Sequence, residues 1–184
     1  MIQQVLKSEV QEETNDTGID KNAWIANAVT EILADTMILM VKTQGTHWNV
    51  VGPLFLPIHE LTERQYRDLF EAADELAERV RALGQVAPIS FTDMVSQAKL
   101  TEEETVKDAE GMIKQLVADH EAIARNLRET AATAARYGDG ATEDLMNARM
   151  AKHEEAVWML KAIVAAKRAA PVDLNHSLRR KEKR

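Results

Sequence analysis

Two histidines, His47 and His59, stand twelve residues apart in the stretch THWNVVGPLFLPIHELTERQY, with Gly52 and Pro53 marking a turn between them. Glu63 follows the second histidine at i+4, and Asp74 and Glu78 come one helix length later in ADELAER. Imidazole and carboxylate without sulfur form a ligand set that suits Fe(II); Mn or Zn would also fit, and ligand type alone does not separate them. The chain has no cysteine, which excludes disulfides, thiol catalysis and cysteine-held metal clusters.

The elements that must position these groups are helical. Only seven glycines and four prolines punctuate 184 residues, strand-like alternation is absent, and four long segments show helical period. The first runs from about Asp20, read as its N-cap, to about Gly45. Its apolar stripe is Ile25, Ala28/Val29, Ile32, Thr36, Met40 and Thr43, with His47 as the next position. The second spans roughly Leu54 to Leu83 and stops at Gly84. The third is expected to start at a capping box, Thr101 to Glu104, and to end at Tyr137-Gly138. The fourth starts near Thr142 and ends before Pro171. The first pair and the last pair are each joined by a short link. The middle connection, about Gly84 to Leu100, is long, and SFTDMVSQ within it has the period of a short extra helix. Two hairpins joined by one long crossover make an all-α, ferritin-like four-helix bundle.

The second helix has two faces. Ile58, Leu61, Gln65, Leu69, Ala72, Leu76, Val80 and Leu83 share the core stripe. His59, Glu63, Tyr66, Phe70, Asp74 and Glu78 share another, roughly 150° away on the helical wheel. Tyr and Phe at the centre of that second stripe imply a cover, and a second copy of the chain is the simplest one. Fifteen residues separate His59 from Asp74, or ~22 Å along a helix, whereas metal–ligand bonds are ~2.0–2.3 Å. One chain therefore cannot bring them to one ion. A two-fold axis near Asp68–Phe70 would set His59 and Glu63 of one chain against Asp74 and Glu78 of the other, giving two equivalent sites, each completed by His47. An intrachain di-iron site would use Glu-x-x-His pairs. None is present, because Leu56, Val117 and Met150 stand three residues before His59, His120 and His153. His153 falls on the apolar stripe of its helix, and no partner is evident for His120 or His176.

The pattern K-T-x-G-T-H-W-N-V-V-G-P-x-F…H-E…Y…D-E-x-A-E-R…L-G resembles the Dps family, the miniferritins. The resemblance runs over about Ala23–Gly84 and resumes at HEEAVWMLKA in the fourth helix. It implies a hollow dodecamer that takes up Fe(II), oxidises it, typically with hydrogen peroxide, and stores ferric mineral without an organic cofactor. By motif position His47, His59, Asp74 and Glu78 match that family's ferroxidase ligands. Glu63 stands where the family usually has Asp, one methylene shorter. Trp48 matches an aromatic neighbour that intercepts radical by-products, with interface packing as the alternative. The family builds acidic three-fold pores near the start of the fourth helix, where Asp139, Glu143 and Asp144 cluster. Asp144 matches a pore position best, and helix capping is the alternative for the other two.

Residues 20–170 are expected to form the bundle, flanked by an acidic tail over 1–19 and a basic one over 171–184. The formal charge of −7 argues against nucleic-acid affinity through the body. The C-terminal tail, however, carries Arg179, Arg180, Lys181, Lys183 and Arg184, which displayed twelve times could engage DNA phosphates; a solvated charged terminus is the alternative. The N-terminus lacks the pattern of a signal peptide. The longest apolar stretch is interrupted by Glu31 and Asp35, so the expectation is a cytoplasmic protein without a membrane span.

Overall fold

The structure, a computed structural model, describes residues 18–19, 22–102, 105 and 107–165. Among these are five helices and no strand: α1 (Asn22–Asn49), α2 (Phe55–Ala82), α3 (Phe91–Gln97), α4 (Ala109–Arg136) and α5 (Gly140–Ala165). Helices α1 and α2 pack as one hairpin and α4 and α5 as another. The hairpins meet chiefly along α1 and α4, while α3 lies against α1 and α2 touches α5 only lightly. This is the expected all-α bundle with a short helix in its crossover. The proposed N-cap Asp20 and nearly all of both tails, including the five basic C-terminal residues, lie outside the described residues.

The core follows from helical period. On α2, Ile58, Leu61, Leu69, Ala72, Leu76, Val80 and Leu83 are buried, as the stripe requires. A fully buried Leu or Ile side chain contributes about 1.5–3 kcal/mol, so a Leu69→Ala change would cost about 2–5 kcal/mol. Helix α1 is long and apolar enough to pass for a membrane span, but 61% of that window is buried inside the bundle. It also buries Thr30, Thr36 and Thr43, whose hydroxyls donate to the carbonyls of Ala26, Ile32 and Leu39. Burial therefore leaves none of these three hydroxyls unpaired.

Three boundaries differ from expectation. Helix α1 passes through Gly45 and reaches Asn49, helped by an Asn49 Nδ2 bond to the Gly45 carbonyl at 2.8 Å; the left-handed turn comes at Gly52, φ +93°. His47 and Trp48 thus sit on the last helical turn rather than beyond it. Helix α4 starts at Ala109, not at Thr101, because Asp108 is the working N-cap and accepts from the Gly111 N–H at 2.8 Å. Helix α5 starts at Gly140. Its cap is Asp139, whose carboxylate accepts from the Thr142 N–H at 2.9 Å. Where the expectation was a C′ glycine, Gly84 (φ +86°) and Gly138 (φ +77°) adopt the left-handed conformation. Both helix ends form the paired bonds of a Schellman motif: Gln85 N–H to Val80 and Gly84 N–H to Arg81, Asp139 N–H to Ala134 and Gly138 N–H to Ala135.

The crossover is anchored by Asp35, buried on α1. Its Oδ1 accepts from the N–H groups of Lys99 and Leu100, both at 2.7 Å. Burial pushes its carboxyl above the ordinary range against those two bonds. That polar break in the apolar stretch is a clamp on the loop entering α4.

Candidate metal centre

The short turn after α1 folds the start of α2 back along its last turn, which brings His47 and His59 into contact. Their rings stack with centroids 3.8 Å apart and planes 15° from parallel. His47 Nδ1 donates to the His59 carbonyl and His59 Nδ1 donates to the His47 carbonyl, both at 2.9 Å. A carbonyl oxygen only accepts, so each Nδ1 must carry the proton, and each Nε2 is left with a bare lone pair. That tautomer leaves each Nε2 able to bind a metal. The His47 carbonyl belongs to the last turn of α1, where it lacks an intrahelical donor, and the His59 ring supplies one. The same helix end carries partial negative charge, which favours a cation there.

Neighbouring rings hold the pair in place. Phe55 stacks on His59 at 4.9 Å, and Tyr66 meets His47 edge-on at 5.4 Å. The sequence assigned Tyr66 to packing under a second copy and gave Phe55 no role; within the chain both rings lie against the histidine pair, a contact visible only once α1 and α2 are paired.

Glu63 lies one turn beyond His59 and pairs with Arg67 at 2.6 Å. The Arg67 hydrogen bond, then its charge, holds the Glu63 carboxyl below its ordinary range, and both imidazoles add to that effect. The histidines and Glu63 thus gather at one end of the α1–α2 hairpin. Asp74 and Glu78 do not join them. They project from the outer face of α2, exposed, fifteen and nineteen residues past His59. Among the described residues, no three metal-ligating His, Asp or Glu side chains converge within the chain. Between the two ends, Phe70 is 67% exposed. Trp48, 68% exposed, borders a groove of about 740 Å³ lined also by Met37, Val41, Phe91 and Met94.

The acidic cluster at the head of α5 divides. Asp139 is buried, 1% exposed, and pairs with Arg79 at 2.6 Å while capping α5. Burial works against its charge, but the bonds from Arg79 and Thr142 outweigh it and hold the carboxyl below its usual range. Asp139 thus caps α5, the alternative role that its position in the sequence allowed. Glu143 is partly exposed and Asp144 exposed on the first turns of α5. His120 and His153, which the sequence left unpaired, face each other in the interior with Nδ1 atoms 2.9 Å apart.

A family model described as a ferritin-like domain matches residues 26–169. A low temperature-induced protein of Nostoc sp. strain PCC 7120 is 38% identical over 83% of this chain and 86% of its own length. The DNA protection during starvation protein of Porphyromonas gingivalis is 32% identical over 76% and 88%. Among solved structures, the Dps protein of Vibrio cholerae O1, described as one of a broad superfamily of ferritin-like diiron-carboxylate proteins, superposes with a TM-score of 0.78. It is 31% identical and covers 82% of this chain and 96% of its own.

Proposed function

Because this chain belongs to the ferritin-like family, in its Dps branch, we propose that it is a miniferritin. It binds Fe(II) as substrate at centres shared by two subunits, oxidises it and stores the ferric product in a hollow homo-oligomer, a dodecamer, in the cytoplasm. The observation that carries this reading is the crossed pair of ring-to-carbonyl bonds, which leaves two Nε2 lone pairs bare at one end of α2 while two free carboxylates stand at the other. A two-fold axis across the middle of α2 closes two sites at once.

In each site His47, His59 and Glu63 come from one subunit and Asp74 and Glu78 from the other. With peroxide, two Fe(II) each give up one electron, the O–O bond breaks, and two protons complete two waters. Each iron gains a positive charge, so carboxylates stabilise the product ion more than the substrate ion. Both Fenton reagents are consumed together. Trp48, next to His47 in sequence and exposed, would intercept a stray radical or pack at the interface. Glu143 and Asp144 provide an acidic approach that raises the local Fe(II) concentration.

The test is anaerobic loading with Fe(II) followed by peroxide. The expected outcome is a two-to-one consumption of iron and peroxide without hydroxyl radical. Release of hydroxyl radical, or no oxidation above the rate in buffer, contradicts the reading.

DNA contact through Arg179, Arg180, Lys181, Lys183 and Arg184 is a second reading, supported by the charge of that tail. Deleting Leu174–Arg184 should then abolish a mobility shift at low salt. No shift with the intact protein would end this idea.

A further inference from the structure

Away from the outer face of α2, a cavity of about 240 Å³ opens between α2 and α5 and reaches His120 on α4. His120 and His153 are both about 2% exposed there, with their Nδ1 atoms 2.9 Å apart. The same cavity is lined by Gln65, whose Nε2 and Oε1 are both buried without a partner, and the His120 Nε2 is equally unpartnered. An unpaired buried polar atom costs about 1–3 kcal/mol. Three of them on one cavity mark a place that something polar fills.

We propose that His120, His153 and Gln65 form an intrachain site for one borderline divalent transition ion such as Zn(II), with both Nδ1 atoms and the Gln65 carbonyl oxygen as ligands. Two nitrogens bound at about 2.0–2.1 Å in a tetrahedral site are about 3.3–3.4 Å apart, so the two Nδ1 atoms, 2.9 Å apart here, need to open by only about half an ångström to take an ion. A proton shared between the rings accounts for the 2.9 Å spacing, but it leaves the Gln65 carbonyl oxygen and the volume beside it unused. Burial favours the neutral, metal-binding form of both imidazoles, first through desolvation and then through the Arg149 charge for His120 and through His120 and Arg149 for His153. The His120 ring is lowered to about 4, and His153 also lies well below the ordinary value. Arg149 does not confront the ion as a free cation, since Asp68 accepts from it at 2.6 Å. Two imidazoles, an amide and water favour Zn(II), Co(II), Ni(II) or Cu(II) over Mg(II) or Ca(II). The site differs from the shared iron centre in having no free carboxylate and no partner subunit.

The test uses the full-length protein carrying H47A and H59A, stripped with chelator and titrated with Co(II) alone. The expected result is about one Co(II) per chain with an imidazole-type visible spectrum, insensitive to excess Mg(II). His153→Gln should weaken binding at least about tenfold, with helix content and native mass unchanged. Gln65→Leu keeps both rings and should weaken it several-fold, so it decides the matter should the His153 variant not fold. No Co(II) bound in the H47A/H59A protein, or binding unchanged in Gln65→Leu, overturns the proposal. Water alone in the cavity would give that result.

Discussion

His47 and His59 each hold the other: the Nδ1–H of one ring is spent on the backbone carbonyl of the other, twice over, at 2.9 Å. Neither ring is positioned by a separate carboxylate. Removing either side chain therefore deletes one ligand and unties the second.

His47→Ala and His59→Ala should thus each slow peroxide-driven iron oxidation by at least about 10–100-fold, the usual loss when a metal-orienting contact goes. The double variant should be hardly slower than either single, because residues acting as a unit are not additive. Stopped-flow traces of the three variants at matched native mass check this. Independent, multiplying losses would contradict the reciprocal arrangement.

Arg67 grips Glu63 at 2.6 Å in an exposed pair, so under the proposed function it competes with iron for that carboxylate. Exposed pairs are weak, so Arg67→Met should raise apparent Fe(II) affinity by no more than about fivefold, and high salt should shrink the difference. Glu63→Gln should move affinity the other way. Anaerobic Fe(II) titration reads both, and an Arg67 variant that binds iron more weakly would remove Glu63 from the ligand set.

Asp139 ties α5 to α2 through Arg79 and caps α5 through Thr142. Its carboxyl is held low in the fold, so the stabilisation is present above the ordinary value of 3.8 and fades as pH falls through the lower folded value. Asp139→Asn should cost on the order of 1–3 kcal/mol at pH 7, and the gap between wild type and variant should narrow as pH falls below 3.8 through the lower folded value. Denaturant melts at pH 7 and pH 3 measure the gap. A gap independent of pH would mean that the charge is not what stabilises this corner.

The bundle was legible because its signals are local. The α2 stripe, the glycines at 84 and 138 and the short helix over 91–97 all depend on neighbours within a few residues. Where two local signals competed, the reading failed: Thr101 with Glu104 imitates a capping box, but the apolar period resumes only at Met112, and Asp108 is the residue that caps α4. The candidate ligands His47 and His59 could be found because a turn of a few residues fixes their proximity. His120 and His153 are thirty-three residues apart on separate helices, and only the register of α4 against α5 decides that they meet. Asp139 looked like part of an acidic cluster for the same reason, since its partner Arg79 is sixty residues away.

The central claim is that histidines from one chain work with carboxylates from another, and mixed assembly tests it directly. Chains carrying H47A/H59A and chains carrying D74A/E78A should each be inactive alone. Reassembled together in equal amounts, half the dimers are mixed and each of those restores one of two sites, so roughly one quarter of wild-type oxidation should return. Full inactivity of a verified mixed oligomer would contradict the account, because a centre contained within one subunit cannot be rescued by its neighbour.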